Sequence, residues 1–163
     1  MQKSKLQFKI KKLEELKKIV ARLRRQGTTI VFTNGCFDLL HYGHAKYLED
    51  AKKEGDVLVV ALNSDVSVRK IKGGRRPIVK EKDRIRLIAA LESVDYATLF
   101  DEETPLRVIE SLRPDVLVKG SDWDKDKIVG GDRVLEFGGR VSTIKLVKGR
   151  STTNLIKKIA KLF

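Results

Sequence analysis

The chain is sparing with several residue types, and each scarcity excludes something. One cysteine, Cys36, stands among 163 residues, so no internal disulfide can form and nothing argues for an oxidising compartment. No apolar run approaches the ~20 residues of a membrane span, and the lysine-studded start lacks the continuous apolar core of a signal peptide. A cytoplasmic protein without a membrane partner is the expectation. Only three prolines occur, and no Pro/Gly-rich linker, low-complexity tract or internal repeat divides the chain. Asparagine and glutamine number three each beside abundant Lys, Glu and Arg, a composition that resembles a thermophile's.

Charge is what the chain has in excess. Thirty-five Lys+Arg against 22 Asp+Glu give +13, which makes an anionic partner such as phosphate or nucleic acid plausible without choosing between them. Residues 1–27 hold ten cations and two acids, so +8 of that excess belongs to one opening segment. Ile10, Leu13, Leu16, Val20 and Leu23 recur there at helical spacing, with Gly27 as a stop. The segment reads as a basic helical extension, 1–27, with its apolar face docked and its cations in water. Nucleic-acid binding is the less favoured reading.

Beyond Gly27 short apolar runs alternate with helical patterns. The spacing predicts strands at 29–32, 57–62, 96–99, 116–118 and 140–146, and helices at 42–54, 80–91, 105–112, 129–137 and 152–161. Strands separated by helices imply parallel βαβ units, hence one α/β domain over 28–163 with an open sheet covered on both faces. Ligands bind such sheets beyond the carboxyl ends of the strands, where the strand order reverses.

Both histidines fall in that position. After the first strand comes Thr33-Asn34-Gly35-Cys36-Phe37-Asp38, a turn in which Gly35 permits close approach. His41 sits just ahead of the following helix and His44 in its first turn, three positions apart and able to face the same way. A helix N-terminus favours an anion, and two added imidazoles suit a phosphoryl group. Zinc is a rival, but His-x-x-His lacks the i, i+4 pairing of a helical zinc site and needs ligands from Asp38 or Cys36. A Cys36–His41–Asp38 nucleophilic site is another, but proximity in sequence is not triad geometry.

The stretch TNGCFDLLHYGH resembles the first signature of the cytidylyltransferase-like nucleotidyltransferases, with Gly-x-Phe-Asp and His-x-Gly-His at the family's spacing. A second signature, Gly149-Arg150-Ser151-Thr152-Thr153, follows some hundred residues later. The stretches ALNSDVSVRKIKGG, RRPIVKEKDRIRLIAALESVDY and PDVLVKGSDWDKDKIVGG look closest to the adenylyltransferases that form ADP-heptose from a heptose 1-phosphate. The resemblance covers about residues 28–160 and implies a Rossmann-like fold. Many relatives carry a sugar-kinase domain ahead of the transferase, so a separate kinase is expected to serve this chain. Relatives are commonly homodimers.

The resemblance implies catalytic roles for His41, His44, Lys72 and Arg84. Thr33, Asn34, Gly35, Cys36, Phe37, Asp38 and Gly43 are implied nucleotide contacts at the first signature. Ser151, Thr152 and Thr153 are implied at the second, where hydroxyls also cap a helix in any protein. Between the signatures, Lys119, Gly120 and Asp122 offer a base- or sugar-facing loop, and Trp123 either stacks there or closes the core. RKIKGGRRPIVK, residues 69–80, has six cations and no acid; it reads as a solvated loop or a mobile clamp, with Lys70 and Lys72 on substrate phosphate. Arg150 stands where relatives often carry a small or apolar residue. Asp38 near a phosphate needs a cation, so it either contacts Mg²⁺ or hydrogen-bonds the turn.

The implied reaction transfers AMP from ATP to a sugar 1-phosphate, with D-glycero-β-D-manno-heptose 1-phosphate the expected acceptor. The alternatives are CTP with glycerol 3-phosphate or another polyol phosphate, AMP transfer to a flavin nucleotide, and a non-catalytic nucleic-acid-binding module.

Overall fold

In the computed structural model, which describes residues 5–162, the elements run α1 (Lys5–Lys9), α2 (Leu13–Arg25), β1 (Ile30–Gly35), α3 (Tyr42–Lys52), β2 (Val57–Asn63), α4 (Asp65–Lys72), α5 (Glu81–Ala90), β3 (Tyr96–Phe100), α6 (Leu106–Leu112), β4 (Val116–Gly120), α7 (Gly131–Glu136), β5 (Arg140–Ile144) and α8 (Thr152–Ala160). The five strands form one parallel sheet in the order β3-β2-β1-β4-β5. The chain leaves β1 in one direction to build β2 and β3, then returns to add β4 and β5 on the other side. The crevice at that reversal lies beyond the carboxyl ends of β1 and β4.

Alternate strand residues feed two cores. Val31, Leu58, Val60 and Val118 pack with Leu48 of α3 and Ile88 of α5 on one face. Ile30, Phe32, Val59 and Leu117 pack with Val108 and Ile109 of α6 and Val134 of α7 on the other. A parallel strand buried on both faces needs such a near-continuous apolar run. The second core also contains Leu16 and Val20 of α2, both essentially inaccessible. The opening segment therefore docks by its apolar stripe and leaves its cations outward.

The structure differs from the periodicity at three places. The opening pattern is two helices: Ile10 is extended and bridges Ala97 of β3, with Lys11 N–H donating to Ala97 O at 2.9 Å. Residues 1–4, also included in the expected extension, lie outside the described ones. Strand β1 continues to Gly35, because Thr33, Asn34 and Gly35 still find partners in Val60, Ala61 and Leu62 of β2. A third of the expected basic loop is helical, since α4 runs to Lys72 and ends at Gly73, whose φ is +89°. A cap signalled that helix: the Ser64 hydroxyl accepts from Ser67 N–H, and Asp65 occupies the first turn.

Candidate active site

The turn after β1 is shaped by its side chains. Phe37 adopts φ +45°, and a Cβ at Gly35 would stand 3.0 Å from the Phe37 ring, so the turn requires glycine there. The Phe37 ring meets His44 edge-on, with centroids 5.3 Å apart and planes at 71°. His44 in turn stacks on His41 at 3.8 Å and 19°. A Cβ at Gly43 would come within 3.0 Å of both the His41 ring and the Arg150 side chain, so the glycine between the histidines lets α3 and the approach to α8 converge.

This imidazole stack is half-buried, and three of its ring nitrogens are inaccessible and unsatisfied. Nδ1 and Nε2 of His41 and Nδ1 of His44 have no hydrogen-bond partner, whereas buried polar atoms are normally paired. Burial, with help from the His41 charge, lowers the His44 pKa to about 4. Burial, then the nearby Arg150 guanidinium, lowers that of His41. Both rings are thus neutral near pH 7, and each carries one N–H aimed where the protein supplies no acceptor.

Two adjoining cavities open around the stack. The larger, about 530 Å³, is bounded by β1, the end of α4 and the loops after β3 and β4. The smaller, about 380 Å³, lies between the N-termini of α3 and α8. Asn34, Gly35, Cys36, Phe37, His44, Lys119 and Trp123 line both, as do Lys72 and Thr152. His41, Gly43, Gly120, Asp122, Arg150 and Ser151 line only the smaller, and Thr153 only the larger. Ser151 caps α8, its hydroxyl accepting from Asn154 N–H at 3.1 Å. Lys119 is pulled to Asn34 Oδ1 at 2.5 Å and lies 5.6 Å from the Trp123 ring centroid; burial depresses its pKa to about 8. The thiol of Cys36 is raised by burial and therefore remains protonated.

Four expected site residues are placed differently. The Thr33 hydroxyl is fully buried, 2.8 Å from Tyr47 OH and 3.0 Å from Val118 O, so it ties α3 to the sheet and lines neither cavity. Lys70 is exposed and turned away from both cavities. Two residues apart on a helix are about 200° apart around its axis, so Lys70 and Lys72 cannot face one phosphate together.

Asp38 and Arg84 instead build a brace. Asp38 accepts from Arg76 Nε at 2.5 Å, from Ile78 N–H at 2.8 and 3.0 Å, and from Val79 N–H at 2.8 Å. Burial alone would raise its pKa, but these backbone donors and Arg76 more than offset it and hold the carboxyl below its usual range. Arg84, 1% exposed, spends its guanidinium on Cys36 O at 2.5 Å, Asn63 O at 2.9 Å, Val79 O at 2.9 Å and Asp65 Oδ1 at 2.9 Å. It is neither a surface charge nor a group facing the cavities; it clasps the turn after β1, the end of β2 and the 76–79 segment together.

This occupation also decides the fit of Mg²⁺ to Asp38. Both carboxylate oxygens already serve N–H donors, and among the described residues no group of three acidic, histidine or cysteine side chains could hold a metal. A magnesium site on Asp38 does not fit.

Residues that periodicity and motif left out also line the cavities: Asn63, Arg76, Glu103, Thr104 and Val129 in the larger, and Leu146 and Val147 in the smaller. Arg76 was signalled only as one cation of the basic run 69–80, and most of the others by position, at or after the carboxyl ends of strands.

Comparison with known proteins agrees with this geometry. The chain is 54% identical over 151 residues to "Bifunctional protein HldE" of Syntrophotalea carbinolica, covering 93% of this chain and 31% of that protein. It is likewise 54% identical over 155 residues to the protein of that name from Geobacter metallireducens, covering 95% and 32%. The chain thus spans about a third of the length of these relatives. Among solved structures, the lipopolysaccharide core biosynthesis protein of Thermoplasma volcanium superposes with a TM-score of 0.62 at 32% identity, over 76% of this chain and all of that one. A pantoate-β-alanine ligase from Francisella tularensis shares the fold, with a TM-score of 0.61 at 16% identity. The Cytidylyltransferase-like family matches residues 32–158, which include the stacked histidines, both cavities and the Ser-Thr-Thr start of α8, and the chain belongs to that family.

Proposed function

We propose that this chain transfers AMP from ATP to a sugar 1-phosphate, D-glycero-β-D-manno-heptose 1-phosphate, giving ADP-heptose and pyrophosphate for lipopolysaccharide assembly. The observation that carries the reading is the neutral imidazole stack with three unpartnered buried nitrogens. It sits where the N-termini of α3 and α8 approach one another, and such a place suits the triphosphate of a nucleotide. Similarity to HldE and to the lipopolysaccharide core biosynthesis protein supports the sugar nucleotide as product.

The chemistry needs no protein nucleophile. An oxygen of the sugar phosphate bonds to the α-phosphorus as the bond from that phosphorus to the bridging oxygen breaks, and pyrophosphate leaves with the electron pair. A phosphate dianion is already a competent nucleophile, so no general base is required. His41 and His44 donate N–H to the α-phosphoryl oxygens, where charge accumulates in the transition state. Lys72, reaching both cavities, neutralises phosphates on either side of the reacting centre, and Lys119 steadies the end of β1. Thr152, at the border of the two cavities, holds the pyrophosphate portion. Any Mg²⁺ arrives on the triphosphate as part of the substrate.

The protein works in the cytoplasm beside a sugar kinase that supplies the acceptor, and as a homodimer. The apolar stripe of α8 supports the dimer, since Ile159 is 45% exposed and none of that helix's residues is buried.

A pyrophosphate-release assay with ATP and CTP against the heptose 1-phosphate, glycerol 3-phosphate and a flavin nucleotide tests the reading. ATP with the heptose phosphate is expected to give the highest kcat/KM. Faster turnover of CTP with glycerol 3-phosphate, or none with any pair, overturns it.

A further inference from the structure

The larger cavity contains a charge that its proposed ligands do not explain. Its cations Lys72 and Lys119 suit phosphate, and Asp38 is neutralised by Arg76 and backbone N–H groups. Glu103 lines the same cavity, and among the described residues no cation stands within 4 Å of it. A free carboxylate facing the site of two polyanionic substrates opposes their binding by Coulomb repulsion.

The backbone holds it there. In the acidic run 101–103, Glu102 pairs with Arg107 at 2.9 Å. The Glu102 carbonyl accepts from the Ser67 hydroxyl at 2.6 Å, and Ser67 in turn accepts from Asn63 Nδ2 at 2.9 Å. Buried Pro105 then opens α6. Glu103 is therefore fixed between two anchored neighbours.

Glu103 is exposed, so water satisfies its carboxylate in the free protein, and because an ionised carboxylate can only accept hydrogen bonds, a ligand that fills the cavity and displaces that water must bring donors. Across the cavity Trp123 is 50% exposed, and an indole face suits the apolar face of a sugar ring. Phosphate-binding cations, one unpaired acceptor and one exposed indole together describe a phosphorylated polyhydroxylated ring.

We infer that Glu103, with Trp123, selects the acceptor: its carboxylate receives the hydroxyls of the sugar ring while the indole covers the ring's face. This rests on the proposed sugar 1-phosphate acceptor and adds which residues read it. It also gives the larger cavity to the acceptor and the smaller to the nucleotide, with His44, Lys72, Lys119, Thr152 and Trp123 itself bordering both. Glycerol 3-phosphate has no ring for the indole to cover and fewer hydroxyls to offer, and so gains less from the pair.

Calorimetric binding to the full chain separates this inference from the function itself. Heptose 1-phosphate, glycerol 3-phosphate, inorganic phosphate and a non-hydrolysable ATP analogue are titrated into wild type, Glu103→Ala, Glu103→Gln and Trp123→Ala. Loss of a hydrogen bond to a charged group predicts roughly tenfold or greater weakening of heptose 1-phosphate by Glu103→Ala. Glu103→Gln, which retains an acceptor, is expected to weaken it less, and glycerol 3-phosphate and inorganic phosphate should bind as before or more tightly. Unchanged ATP-analogue affinity certifies the folded Glu103 variants, and an unchanged thermal midpoint does so for Trp123→Ala, whose indole also borders the nucleotide's cavity. Wild-type affinity for heptose 1-phosphate in Glu103→Ala, or equal weakening of every ligand, overturns the inference. Failure of wild type to release pyrophosphate sinks the proposed reaction instead, through a different readout.

Discussion

Two polar clusters flank one short turn and differ in a single respect. Asp38 and Arg84 are buried and every charged group is answered: Asp38 by Arg76 and two backbone N–H groups, Arg84 by three carbonyls and Asp65. Three residues beyond Asp38 begins a half-buried stack in which three inaccessible ring nitrogens have no answer. Satisfied burial fixes the backbone, whereas unsatisfied burial leaves a demand that only a ligand meets. The brace explains where the turn stands, and the stack explains what the turn is for.

That contrast breaks most visibly in turnover. His44→Ala is expected to lower kcat by ~10²–10⁴ with nucleotide affinity nearly intact, as single-turnover kinetics beside equilibrium binding will show. Its thermal midpoint should stay level or rise, because a buried unpaired group has been removed. Arg84→Met should do the opposite. Stripping one member from a buried charged network costs about 3–5 kcal/mol, so the denaturant midpoint falls sharply, and activity declines through a misplaced turn.

Two pH experiments sharpen the same comparison. The Lys119 pKa near 8 means the free enzyme loses that cation as pH rises, so kcat/KM for ATP should fall about tenfold per unit above that value. Lys119→Arg, which stays charged, should flatten this limb. The smallest effect is on stability. The folded His44 pKa near 4 lies below the ordinary 6.5, so the unfolded chain binds more protons between those values. The stability present above about pH 6.5 is therefore lost as pH falls towards 4, by about 1–2 kcal/mol at pH 5 in the ligand-free protein. Urea titrations at pH 7 and 5 measure this, and His44→Gln should shrink the difference.

Much of this architecture was legible residue by residue. The runs at Val57–Leu62 and Val116–Val118 are apolar on both faces, so their strands and the parallel sheet follow directly. The histidine pair and the Ser-Thr-Thr stretch announce themselves as local patterns at helix starts, and both line the cavities. What escaped depends on contacts distant in sequence. Asp38 meets Ile78 and Val79 some 40 residues away, so its partners could not be read from the turn itself. Arg84 sits among charged neighbours in a pattern that suggests a surface, yet its side chain points inward to three backbone carbonyls. Thr33 belongs to the signature, but the Tyr47 hydroxyl reaches it first. The helix α4 was hidden by its own cations, whose density suggested a loop although Ser64 supplied a cap.

Phe37 holds a strained backbone that its packing outweighs. Its backbone occupies the left-handed region, which for a residue with a Cβ costs about 1–2 kcal/mol. Glycine would relieve that torsion but would remove the ring on which His44 rests. Phe37 is also a buried member of the core, and emptying that place costs about 3–5 kcal/mol, more than the relaxed torsion returns, so heat resistance and product formation both keep phenylalanine at position 37.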